Sequence, residues 1–158
     1  MLNYFSFKNP DERLIMEPKQ QLDLEMTLVD RMRGKMQLLQ PQNEREELVE
    51  RTLIKVLNEG LFPKIKNNFR DGTSRKIFVK EFLSYGVITD LLCDIKVEDI
   101  IINNLKPIYV HDSDRGFVPT NKRFSSQYEI DVFIQKLLLF AGRDKLSKII
   151  NFELPHLE

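Results

Sequence analysis

The chain has 158 residues, 42% of them hydrophobic, with eleven Phe and no Trp, and its 24 basic residues balance 24 acidic ones. A chain of this size and apolar content can bury a core, so disorder is not its default state. The charge balance argues against a nucleic-acid or anionic-membrane surface as its main business, and no nucleic acid is expected as a partner.

Cys93 is the only cysteine, so no intramolecular disulfide can form and nothing calls for an oxidising compartment; the cytoplasm is the expected location. No stretch reaches the roughly 20 apolar residues that span a bilayer, and Met1-Leu2-Asn3-Tyr4-Phe5 has no basic region leading into a long apolar one. Membrane contact is therefore expected through partners, without direct insertion.

Residues 1–18 carry charged and aromatic residues without a period and read as a tail. From Pro18 to Pro41 apolar residues recur at Leu22, Met26, Val29, Met32, Met36 and Leu39, in steps of three and four, which predicts one helix with Gly34 inside it. A second helix is predicted to start at Asn43, with Glu46 completing a capping box, to run through Val49, Leu53, Val56 and Leu57, and to stop at Gly60. The two read as an antiparallel hairpin or bundle. Residues 19–72 then form a helical extension and linker, the linker lying where Pro63, Asn67, Asn68 and Gly72 interrupt the periodicity.

Residues 73–158 read as a separate α/β unit. Phe78, Phe82 and Tyr85 mark a third helix ending at Gly86, and Ile88, Leu91 and Leu92 add one helical turn. Glu98 to Asn103 and Ile108-Tyr109-Val110 are β-branched and short, so both are strands. Asp112 to Gly116 is turn-forming, and Phe117 to Thr120 returns as a hairpin partner, with Pro119 placing it near an edge. Ser126 and Glu129 make a capping box for a helix traced by Ile130, Phe133, Ile134, Leu137, Leu138 and Ala141 and closed by Gly142. Ile149 to Glu158 reads as a further extended segment. The fold class is α+β: a helical hairpin or bundle, then a small antiparallel sheet covered by an amphipathic helix.

Candidate chemistry is sparse. The six glycines fall in no loop followed by Lys-Ser or Lys-Thr, so phosphate cradling has no support. His111, Asp112 and Asp114 invite a metal, but Gly116 and Phe117 occupy the fifth and sixth loop positions and no Glu stands twelfth, which breaks the calcium-loop spacing. Cys93, within Leu91-Leu92-Cys93, reads as a buried small hydrophobe. Glu98 and Asp99 are adjacent in a strand and so should point to opposite faces, which disfavours paired carboxylate chemistry. Met26, Met32 and Met36 read as core, with an adaptable binding stripe as the alternative. No catalytic, cofactor-binding or metal residue is assigned.

One stretch has a specific likeness. Phe-Leu-Ser-Tyr-Gly (82–86), Ile88-Thr89-Asp90-Leu91-Leu92, Val97 to Asn103, Ile108-Tyr109-Val110, and Pro119-Thr120-Asn121 leading to Arg123-Phe124 follow the order that resembles the N-terminal domain of the type II/type IV secretion ATPases. That group includes pilus-assembly, archaellum and conjugation motors. The likeness covers about residues 75–158, with weaker helical similarity reaching residue 20. It departs at Asn104, where the family usually has Gly after the strand-ending Asn, and the family's RecA-like motor with its Walker A loop is absent. The resemblance implies a non-catalytic regulatory and coupling domain of a hexameric motor. Its partners would be its own C-terminal ATPase domain, neighbouring subunits and inner-membrane platform proteins. By the same resemblance, ATP and Mg would belong to the parent protein, which would hydrolyse ATP at the inner face of the membrane. The alternative is a stand-alone PAS-like ligand-sensing or protein-interaction module, with a pocket lined by Phe117, Phe133 and Leu137. A third reading, an enzyme built on His111 and nearby carboxylates, has the least to support it.

Overall fold

The computed structural model describes residues 16–143. Of the expected tail, residues 1–18, the part before Met16 lies outside the described residues, as does the expected extended segment from Ile149 to Glu158; Met16 packs against the core and Pro18 opens α1. In chain order stand α1 (Pro18–Met32), α2 (Gln42–Asn58), α3 (Gly72–Phe82), α4 (Thr89–Cys93), β1 (Val97–Ile101), β2 (Tyr109–Asp112), β3 (Gly116–Pro119) and α5 (Gln127–Phe140), with single 3₁₀ turns at Lys66–Phe69 and Gly86–Ile88. The sheet is antiparallel in the order β1-β2-β3. The α+β class is thus the observed one. Among the described residues no helix is long and apolar enough to cross a membrane.

The first helix is shorter than its apolar period predicts. Arg33 leaves helical torsions at φ −51° and ψ 128°, and Gly34 takes φ 74°. Glycine is costly inside a helix and free of steric penalty in that left-handed turn, so the chain stops there. Met36 still reaches the core, but Leu39 is left 92% exposed. The second helix begins at Gln42 with Pro41 as its cap and no side-chain capping bond, so the capping box expected at Asn43 does not form. The two helices also meet differently from a short antiparallel hairpin. Arg31, at the end of α1, pairs with Glu59, just past the end of α2, whereas an antiparallel pair joined through 33–41 would set Arg31 against the start of α2.

Later boundaries follow local chemistry closely. The Asp71 carboxylate accepts the Ser74 amide at 2.7 Å and starts α3 within what reads as a loop from sequence. Ser126 accepts the Glu129 amide, and the Glu129 carboxylate accepts the Ser125 amide, one residue before the cap, so α5 opens on a close relative of the capping box. At its other end the Arg143 amide donates to the Leu138 carbonyl and the Gly142 amide to that of Leu139. With Gly142 at φ 69°, this is the Schellman closure that a glycine permits.

One hydrophobic core joins the helices. It includes Leu24 and Leu28 of α1, Val49 and Leu53 of α2, Phe78 and Phe82 of α3, and Phe140 of α5. Edge-on ring contacts link Phe69 to Phe78 at 5.3 Å and Phe82 to Phe140 at 6.1 Å. Ile65 and Phe69 are buried in the same cluster, so packing continues through 61–72 and does not break there as a flexible linker would. The principal partner of α5 is α1, and Ile130 and Phe133 of α5 share the same core with Ile100 of β1.

Candidate functional site on the open face of the sheet

Alternation along the strands divides the sheet into two faces. Ile100, Val110 and Val118 form one cross-strand row, and Val110 is fully covered. The other face carries the rows Ile101–Tyr109–Pro119 and Asp99–His111–Phe117. Ile101 is 43% exposed, Tyr109 44% and Phe117 64%, which makes this face an open apolar and aromatic surface.

An irregularity in β1 completes it. Pairing passes from Val97–Asp112 directly to Asp99–His111, so Glu98 is the extra residue of a bulge. Strict alternation would place Glu98 and Asp99 on opposite faces, as the sequence reading expects. The bulge instead turns both toward one histidine: His111 Nδ1 lies 2.8 Å from Glu98 Oε2 and 3.9 Å from Asp99 Oδ2. The imidazole stacks on Phe117 with ring centroids 4.6 Å apart. The result is an aromatic-backed patch in which two carboxylates face one imidazole, with no hydroxyl or thiol bonded to His111 among the described residues.

The other expected constellations separate. Asp112 is buried in the hairpin, where its carboxylate accepts the amides of Asp114 and Arg115 and the Arg115 guanidinium; the Arg115 bond holds its carboxyl below the ordinary range. Asp114 pairs with Lys96 instead. Among the described residues no group of three or more His, Cys, Asp and Glu side chains is placed to hold a metal. Cys93 is exposed rather than buried, because α4 is a single turn whose neighbours Leu92 and Ile95 also face outward. Phe133 packs on Phe124 at 5.2 Å while Phe117 stacks on His111, so Phe117, Phe133 and Leu137 do not line one pocket. Met32 and Met36 are core residues and Met26 is half-buried.

A second polar centre was missed from sequence. Glu25 of α1, Glu81 of α3 and Lys136 of α5 are all buried within the helical core. Lys136 Nζ donates to Glu25 Oε1 at 3.1 Å and sits 4.9 Å over the Phe82 ring. Glu81 Oε1 has no hydrogen-bond partner among the described residues. Burial, and then the Glu25 charge, push the Glu81 carboxyl up to about 8, against the pull of Lys136. The signal was available: each residue stands at helical spacing from apolar ones, Glu25 with Leu28 and Val29, Glu81 with Phe78, Lys136 with Leu139 and Phe140.

Comparison of the chain with protein-family models, with curated proteins and with solved structures finds no match.

Proposed function

We propose that this chain is the non-catalytic coupling module of a secretion or pilus-assembly ATPase, working at the inner face of a membrane through its partners. The reading rests on the order of segments from Phe82 to Phe124, and one conformational observation supports it best. Asn104 adopts φ 49°, the left-handed region that glycine and asparagine populate, at the position where the resembled family carries glycine. An asparagine here takes the left-handed torsion that a glycine would also take, so the change of residue type does not count against the likeness. In this reading the open face with Ile101, Tyr109 and Phe117 meets a neighbouring subunit or a platform protein, and ATP chemistry belongs to a motor domain elsewhere in the parent protein.

The test begins with the gene. The reading frame continued past Glu158 should enter a Gly-rich loop ending in Lys-Ser or Lys-Thr, and a stop codon there defeats the proposal. In such a full-length motor, Phe117→Asp should leave ATP hydrolysis largely intact while abolishing transport. Loss of both together would place the open face against the motor's own chemistry.

A further inference from the structure

The balanced total charge conceals a local excess. Between Lys64 and Lys80 stand six cations, Lys64, Lys66, Arg70, Arg75, Lys76 and Lys80, against the lone carboxylate of Asp71, which is engaged by the Ser74 amide. This segment folds against the end of α2 and leaves an open groove of about 430 Å³. Ile54, Leu57 and Phe69 supply its apolar lining, and Lys66, Arg70 and Arg75 its basic one. Arg75 is held in place by Glu50 and by the carbonyls of Phe69 and Arg70. Lys66 and Arg70 are exposed and make no ion pair with any described residue. Two carboxylates of the α2 side are paired elsewhere, Glu50 with Arg75 and Glu59 with Arg31.

We propose that this groove docks an acidic segment of a partner protein, seating an apolar side chain on Ile54, Leu57 and Phe69 between carboxylates held by Lys66 and Arg70. Charge complementarity selects an anion. The apolar lining then distinguishes among anions: a phosphate backbone gains nothing from it, and a bilayer surface cannot enter a concavity. A peptide that carries Leu, Ile, Met or Phe beside Asp or Glu satisfies both halves of the groove at once. Whole-chain composition argues against a general polyanion surface and leaves this local one intact. The inference does not depend on the motor reading, since it uses neither the sheet nor the resembled segments.

The test is selection from a random peptide display library on the full 158-residue chain, followed by fluorescence anisotropy with the selected peptides. Enrichment of Asp or Glu flanking a large apolar residue is expected. The Lys66→Glu/Arg70→Glu double variant should weaken binding by about tenfold or more, and Lys66→Arg/Arg70→Lys should retain it. Ile54→Ser should weaken it separately. If the charge-reversed chain does not fold, the same decision comes from the peptide side, where replacing Asp and Glu with Asn and Gln should cost a similar factor. Selected peptides without acidic bias, or equal binding by the charge-reversed chain, overturn the proposal. So does tighter binding at this groove of single-stranded DNA or phosphatidylglycerol vesicles, either of which would reassign the surface.

Discussion

Glu81 sits in the helical core at 6% exposure, its proton retained up to about 8. In the unfolded chain the same carboxyl ionises near its ordinary value of 4.5. Between those values the folded state binds more protons than the unfolded one, so stability falls as pH rises and levels off above about 8. The loss is on the order of a few kcal/mol. Urea melts from about pH 5 to about pH 9 should show that slope, and Glu81→Gln should flatten it and leave the protein more stable at the alkaline end. A slope unchanged by the substitution would mean another group carries it. The neighbouring pair behaves differently. Lys136→Met leaves Glu25 without the one cation that pairs with it among the described residues and should cost about 3–5 kcal/mol at neutral pH. Pairing that change with Glu25→Gln or Glu25→Met should recover much of the loss, because both buried charges then disappear together.

Among the elements, α5 shows how local signals set boundaries. Its N-cap hydroxyl satisfies an amide that the helix leaves without a partner. Ser126→Ala should therefore lower stability by about 1 kcal/mol in denaturant titration. An undetectable change would show that solvent caps this helix equally well. The β1–β2 connection makes a second case. Asn104 stands at φ 49°, so Asn104→Gly should be close to neutral, while Asn104→Val should destabilise by about 1–2 kcal/mol. Equal effects of the two would mean that the turn rearranges when substituted. Helix and strand types were legible throughout this half because caps, glycines and β-branched runs act within a few residues. The β1 bulge was not legible, because nothing in Val97-Glu98-Asp99 announces which residue the pairing will skip.

For the whole molecule, the decisive contact is α1 against α5. Tyr128 donates to Asp23 at 2.8 Å, Lys136 to Glu25, and the apolar faces of both helices enter one core with α2 and α3. Deleting residues 1–60 would open that core and strand Lys136 beside Phe82, so the truncated chain is expected to be insoluble or to lose near-ultraviolet circular dichroism. Limited proteolysis of the intact chain should find no preferred cut between residues 61 and 72, where Ile65 and Phe69 are buried. A stable fragment beginning near residue 73 would instead restore the two-unit organisation that the interrupted periodicity predicts.

The α+β class, the three strands and their hairpin, the closing glycines at 60 and 142, and the capped last helix are all legible from the residues alone, because each rests on torsional preference or hydrogen bonding between near neighbours. The sequence also carried the apolar periods, but a period marks a stripe without naming what covers it. Only the tertiary structure placed α1 on α5, brought Glu25, Glu81 and Lys136 together from positions up to 111 residues apart, and turned Glu98 and Asp99 toward one histidine. Those outcomes depend on the free energy of bringing distant segments together. That free energy is a balance of burial, charge pairing and chain entropy that no local window of residues contains.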